Sequence, residues 1–226
     1  MIVPARISEL ISRSPRGLTL LAISVAATAA VACGGGDETS TATQLPAAAQ
    51  APEDDRGNTF VVGEGSEAAF TVNEQLARLP APTDAVLRTG SISGSIELGG
   101  SRSLVISIDL HQLRSDQSRR DQYVRQRLFP NQPISTVTFT DLGNIPDSFF
   151  AGEVFQTNVI GTVNVNGVDA DLEFQIETRL DGDTLFVLGR ADFVWADFGM
   201  TAPTSRLFDV RDEVHVEVLL AATRAG

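Results

Sequence analysis

The chain has 226 residues, enough for one large domain with processing segments or for two small domains. With 42% apolar and 20% charged residues it is neither wholly disordered nor a polytopic membrane protein. A net charge of −12 makes nucleic acid a poor partner, because an acidic protein repels the phosphate backbone. One cysteine excludes an intramolecular disulfide and a cysteine-rich zinc site, and two histidines leave little for histidine catalysis. We therefore expect a binding protein with no enzymatic activity, no metal and no cofactor.

Residues 1–32 have the pattern of a signal peptide of the lipoprotein type. Three arginines form a positive flank, and residues 17–32 carry no charge. That stretch is too short and too rich in alanine for a typical transmembrane helix. Residues 30–32 (Ala-Val-Ala) directly precede Cys33 and resemble a bacterial lipobox, with alanine where leucine is usual. The resemblance implies acylation of Cys33 and cleavage just before it. An ordinary signal peptide is the alternative, but it leaves a lone thiol on an exported chain unexplained.

Residues 33–58 are predicted to be the lipidated cysteine and a disordered tether. Residues 34–58 are mostly Gly, Ala, Thr, Pro and acids, with Leu45 the only large apolar residue, so they cannot form a core. The 25 residues of such a tether give a root-mean-square reach of about 25–30 Å. We expect an exported protein held by acyl chains, palmitate among them, since two or more chains suffice for stable anchoring. We expect the anchor to lie in the outer membrane, which glycine rather than aspartate at position 34 favours, or in the outer face of the plasma membrane of a single-membrane organism.

Residues 59–226 are predicted to form one all-β domain. Apolar and polar residues alternate at 92–98, 104–110, 137–139, 163–165, 168–176 and 214–218. The pair Asn166-Gly167 is a strong signal for a two-residue hairpin turn. About eight strands joined mostly by short turns indicate an antiparallel meander, which closes as a sandwich or as a barrel.

Residues 116–129 interrupt the strands. They show no alternation, and Val124 and Leu128 have the spacing of one helical face. Asp116 is a candidate N-cap, and Pro130 ends the segment. A short helix inserted between strands is therefore expected.

An arginine cluster belongs to this helix. Arg114, Arg119, Arg120, Arg125 and Arg127 lie within 14 residues of an otherwise acidic protein. Guanidinium groups suit phosphate oxygens, which makes Arg119, Arg120 and Arg125 candidates for holding an anionic head group. The alternative, which the sequence alone favours, is a solvated helix face with Asp121 and Arg125 paired at i, i+4.

Residues 120–125 and the following Leu128-Phe129 resemble the RD-x-x-LR helix signature of the YceI-like family, the polyisoprenoid-binding lipocalin-like proteins. The resemblance covers about the whole of 59–226. It includes an opening strand at 60–70, Gly90 and Gly94 in the second strand region, a hairpin at 161–168, a near-terminal motif at 193–200 and a last strand at 212–216. One departure concerns Pro133, which precedes Phe139 by six residues where the family usually has two or three.

The resemblance implies a single extended eight-stranded antiparallel barrel with one inserted helix and an apolar tunnel for a polyisoprenoid or other long-chain lipid. The size of the barrel is compatible with this expectation on independent grounds, because the interior of an eight-stranded barrel either fills with side chains or holds one small ligand. The inward-facing candidates for the tunnel are Phe70, Ile92, Ile106, Ile108, Phe139, Phe174, Ile176, Val187, Phe193 and Trp195. Alternation does not separate tunnel lining from core packing, because both need an apolar face.

We therefore expect a membrane-anchored protein that sequesters or carries a long-chain lipid. The alternative is an envelope structural or interaction lipoprotein whose barrel is filled. The sequence leaves the oligomeric state open, a dimer included.

Overall fold

The computed structural model describes residues 58–226; Cys33 and the segments expected as signal peptide and tether lie outside them. The strands are β1 (Thr59–Val62), β2 (Glu67–Leu76), β3 (Thr83–Thr89), β4 (Ile92–Glu97), β5 (Ser103–Asp109), β6 (Ile134–Phe139), β7 (Phe155–Val165), β8 (Val168–Asp181), β9 (Thr184–Val194) and β10 (Phe208–Arg224). Helix α1 (Ser118–Tyr123) continues as a π-helical turn (Val124–Leu128), and α2 is Asp147–Phe150. None of the helices in this part of the chain is long and apolar enough to cross a membrane.

The ten strands occupy eight positions around a closed antiparallel barrel. Strands β1 and β2 both pair with β10, and they pair on their other side with β4 and β3 respectively. Each of the pairs β1–β2 and β3–β4 is therefore one bent strand, and β5 to β10 follow in chain order until β10 returns to β1. The predicted eight-stranded antiparallel barrel with one inserted helix is confirmed.

The bend between β1 and β2 is held against β10. Gly63 donates its backbone N–H to the carbonyl of Ala221 at 2.9 Å, and the hydroxyl of the buried Ser66 accepts from Ala221 N at 3.0 Å. Because these bonds replace ladder bonds, the strand changes direction without losing its partner.

The barrel has two distinct ends. The mouth end carries α1, the loop 77–82, the β7–β8 turn and the loop 199–207, and Asn166 Nδ2 donates to the carbonyl of Leu128 at 3.0 Å. The base end carries α2, the β8–β9 turn and the start of β1 at Thr59. Phe149 of α2, only 1% exposed, packs into the core at the base end.

The hairpin at the mouth end forms as its sequence predicts. Strands β7 and β8 pair in register from Val165↔Val168 back to Phe155↔Thr178. Asn166 and Gly167 have φ of 53° and 78°, the left-handed conformation that a type I′ turn requires.

The inserted helix differs from the prediction at its start. Gln117, not Asp116, is the N-cap residue, and it makes no side-chain capping bond. The ion pair between Asp121 and Arg125, which the solvated-face alternative predicted, does not form. Asp121 is buried instead, and it accepts hydrogen bonds from Ser115 N at 2.9 Å and from Ser115 Oγ at 2.7 Å. A buried carboxylate needs hydrogen-bond donors, and Ser115 in the preceding loop supplies them.

Candidate functional site

The mouth half of the barrel contains a cavity of about 600 Å³, which we call the main cavity. Inward-facing residues of β2, β3, β5 to β10 and α1 line it, and almost all of them are aliphatic or aromatic. Its polar lining residues are Glu74, Gln117, Arg119, Arg120, Tyr123 and Ser135. Ser135 Oγ donates to the carbonyl of Asn164 at 2.8 Å, and most of the other polar groups come from α1. The cavity is therefore apolar in its depth and polar where α1 crosses the mouth.

The structure separates the ten tunnel candidates into three groups. The main cavity is lined by Phe70, Ile108, Phe174, Phe193 and Trp195. A second cavity of about 50 Å³ at the base end is lined by Phe139, Ile176 and Val187, among others. Ile92 and Ile106 are buried in the core, 9% and 3% exposed, and line neither cavity.

An aromatic pair separates the two cavities. The ring of Phe139 lies edge-to-face against Phe174, with centroids 5.2 Å apart. Gly161 makes this arrangement possible, since a Cβ there would lie 2.6 Å from Phe139 Cε1. Phe174 and Ile176 both face inward as alternation predicts, but they border different cavities. The main cavity therefore ends at the aromatic pair, with Phe174 on its wall and Ile176 beyond it.

Part of the mouth is built from residues that the sequence did not identify as cavity lining. Met200, Pro203 and Leu207 of the loop 199–207 line the main cavity, as do Phe208 and Val210 at the start of β10. Apolar and polar residues do not alternate in this loop, so strand periodicity could not predict that it lines the cavity. The spacing Phe208, Val210 is the only signal that could have found part of this wall.

Two aromatic side chains, Tyr123 and Trp195, connect the start of β10 to its neighbours at the mouth. Tyr123 of α1 packs edge-to-face on Phe208, with centroids 5.9 Å apart. Trp195 Nε1 donates to the carbonyl of Arg211 at 3.0 Å, so the indole N–H is satisfied while the ring borders the cavity.

The three head-group candidates differ in their surroundings. Arg120 contacts the buried Glu74 through Nη2, and its Nη1 donates to Asp116 Oδ1 at 2.5 Å. Burial acts to lower the pKa of Arg120, but the hydrogen bonds to Asp116 and Glu74 outweigh it and raise that pKa. The same hydrogen bond from Arg120 lowers the pKa of Asp116. Both terminal nitrogens of the Arg120 guanidinium therefore bind carboxylates of the protein itself.

Arg119 and Arg125 differ in their exposure and in their access to the main cavity. Arg119 is exposed, borders the main cavity and forms no ion pair within residues 58–226. Arg125 is half-buried and does not border the cavity. Of the three predicted head-group arginines, only Arg119 is a free cation at the mouth.

Comparison with known proteins identifies the family to which this barrel belongs. The family model described as the YceI-like domain matches residues 61–222. The chain belongs to the YceI-like family. No match was found among curated proteins.

Two solved structures share the fold of this YceI-like protein. A polyisoprenoid binding domain from Saccharophagus degradans implicated in plant cell wall breakdown aligns with a TM-score of 0.60 at 19% identity, over 74% of this chain and 98% of that one. BcnA of Burkholderia cenocepacia aligns with a TM-score of 0.51 at 16% identity, over 70% of this chain and 96% of that one. At these identities the similarity shows the fold alone.

The residues that resemble the family's helix signature support the mouth of this YceI-like barrel. Asp121 and Val124 are buried and attach the helix, whereas Arg120 reaches Glu74 on β2. His111 Nε2 lies 2.6 Å from the carbonyl of Phe129, where the helix ends. The signature residues thus attach the helix to the barrel at its mouth.

Proposed function

We propose that this YceI-like protein binds a polyisoprenoid or another long-chain lipid in the main cavity, sequesters or carries it, and performs no chemistry. The observation that carries the proposal is the apolar cavity of about 600 Å³, which ends at Phe139 and Phe174 and opens beside α1. If a methylene takes roughly the 30 Å³ of a water molecule, this volume holds about 20 carbon atoms. The polyisoprenoid binding of the Saccharophagus domain with the same fold supports this ligand class.

Burial of an apolar chain supplies the affinity. Each methylene removed from water contributes about 0.8 kcal/mol, so a few isoprene units outweigh the cost of ordering the chain. Affinity should rise with chain length until the cavity is filled, and then remain constant.

The test uses the single tryptophan, Trp195, which borders the main cavity. Purified protein is extracted with organic solvent for mass spectrometry, then titrated with prenols of increasing length while Trp195 emission is recorded. We expect an extractable lipid and a plateau near 20 carbons. Emission that no prenol changes, with no lipid in the extract, would instead support a filled barrel that serves as an envelope structural or interaction protein.

For the head group, we propose that Arg119 holds an anionic end of the ligand. Arg119→Gln should weaken the binding of a prenyl phosphate by about 10- to 150-fold and leave the binding of the uncharged prenol unchanged, since a hydrogen bond to a charged group contributes about 1.5–3 kcal/mol. Arg127→Gln is the matched control, because Arg127 is exposed on the same helical segment but does not border the cavity. Equal losses for both ligands would refute phosphate recognition.

Export and membrane anchoring through Cys33 complete the proposal. They rest on the signal pattern of residues 1–32 and the lipobox-like residues before Cys33.

A further inference from the structure

Two loops at the mouth end expose leucines. Leu207 is 69% exposed, more than any other large hydrophobic residue of the part of the chain that the structure describes, and Leu79 is 42% exposed. Ala77 N donates to the carbonyl of Leu207 at 2.9 Å, so the loops 77–82 and 199–207 lie side by side. Leu207 also borders the main cavity. The exposed leucines therefore stand at the edge of the cavity opening.

Arginines accompany these leucines. Arg78 and Arg206 each precede one of them, and Arg119 lies on α1 across the opening, beside the 36% exposed Tyr123. We define the mouth rim as Arg78, Leu79, Arg119, Tyr123, Arg206 and Leu207.

The rim arginines are free to meet an external anion. All three are exposed, and none forms an ion pair with any residue from 58 to 226. Of the acids at this end of the barrel, Glu74 and Asp116 are bound to Arg120, whereas Asp84 and Asp209 are exposed. The described chain as a whole is acidic, with 13 arginines against 23 carboxylates. The rim is thus a cationic region on an anionic barrel.

We propose that the mouth rim docks on the surface of an anionic lipid bilayer, which brings the opening of the main cavity against the membrane. Leucine and tyrosine side chains enter the interface, while arginines direct their guanidinium groups to lipid phosphates. Each arginine near an anionic membrane surface strengthens association by about fivefold. The rest of the acidic barrel is repelled by the same surface, so the rim end faces the membrane.

The arrangement favours a bilayer over a protein partner. The rim exposes three large apolar side chains, Leu79, Leu207 and Tyr123, each with an arginine next to it in the sequence or one helical turn away, and three side chains are too few for a large apolar patch. A protein interface would need such a patch with a well-packed centre. A bilayer needs only apolar tips with cations at head-group level.

The experiment measures flotation of residues 34–226 with vesicles, because these residues contain the entire closed barrel. The vesicles are of phosphatidylcholine alone or of phosphatidylcholine with about one third phosphatidylglycerol. We expect binding to the anionic vesicles that weakens with added salt. Leu79→Asp should reduce it by about tenfold, and the Arg78→Gln/Arg206→Gln double variant should reduce it by about 25-fold.

A matched control is available on the barrel wall. Ile160 of β7 is 67% exposed and lies outside the rim, so Ile160→Asp places the same charge on an exposed apolar site. We expect it to bind vesicles like the unaltered chain. Equal losses for Leu79→Asp and Ile160→Asp, or no binding of the unaltered chain to either vesicle, would overturn the proposal.

Prenol titration without vesicles separates this proposal from the ligand proposal. Leu79 does not border the main cavity, so Leu79→Asp should leave the Trp195 response unchanged. Rim-dependent vesicle binding without any prenol response would remove the lipid ligand but support the docking surface. A normal prenol response with rim-independent vesicle binding would do the reverse.

Discussion

Matched valine-to-phenylalanine changes in the two cavities test whether the barrel is hollow where the structure says it is. Val216 on β10 borders the main cavity of about 600 Å³, and Val187 on β9 borders the second cavity of about 50 Å³. Each change adds about four heavy atoms, which need on the order of 100 Å³. The main cavity accommodates that volume, whereas the second cavity does not.

The two variants should therefore fail in different assays. Val216→Phe displaces about four ligand carbons, close to one isoprene unit, so the longest accepted chain should lose about 3 kcal/mol, roughly 100-fold in affinity. Val187→Phe overpacks the core and should cost about 1–3 kcal/mol of stability, which lowers the melting temperature by about 2–12 °C.

Neither change adds a tryptophan, so Trp195 fluorescence reports the chain-length profile and circular dichroism reports melting in both variants. The reasoning is refuted if Val216→Phe lowers the melting temperature as much as Val187→Phe and leaves the chain-length profile unchanged. That outcome would mean that side chains fill the mouth half of the barrel.

Three further changes test other parts of the molecule. Cys33→Ser should move the protein to the soluble fraction or leave an unprocessed precursor, and should abolish labelling by a fatty-acid probe; unchanged fractionation and labelling would exclude the anchor. Arg120→Ala leaves the buried Glu74 without its partner and should cost about 1–3 kcal/mol in denaturant unfolding, more than a surface ion pair provides. Gly94→Ala would place a Cβ 2.1 Å from a carbonyl oxygen of β5 and should sharply lower the melting temperature, whereas Gly63→Ala, with nothing within 4 Å, should not.

Local patterns predicted antiparallel strands and their turns, because strand periodicity and turn chemistry are local properties. They left a sandwich and a barrel as alternatives, and the family resemblance indicated the barrel. Residues 168–176 alternate in the sequence, and β8 (Val168–Asp181) pairs without a register shift through them. Asn166-Gly167 adopts the predicted turn because the left-handed conformation costs these two residues little. The bend between β1 and β2 depends on contacts with β10, and the bend between β3 and β4 depends on a hydrogen bond from Asp109 N to the carbonyl of Ser91, so neither could be read from alternation.

The site was less predictable because alternation gives the face of a strand and not the depth within the barrel. Phe174 and Ile176 share a face, yet two strand residues span about 6–7 Å, enough to place them beside different cavities. The ring that divides these cavities comes from Phe139 on β6, which lies opposite Gly161 of β7. Neither the glycine nor the phenylalanine indicates this contact alone.

The end at which the chain enters the barrel determines how an anchor at Cys33 and the mouth rim would act together. The described chain enters at the base end with Thr59 and reaches the mouth end at Leu76, about 55 Å further along the bent strand and about 40–45 Å along a tilted barrel axis. The 25 residues 34–58 can span at most about 80–90 Å. That span exceeds the barrel length, so an anchor at Cys33 permits the mouth rim to contact the same bilayer. It equally permits the mouth to face away, since the chain enters at the opposite end. Charge then favours the orientation with the mouth towards the membrane, because the rim presents three exposed arginines that form no ion pair with residues 58–226.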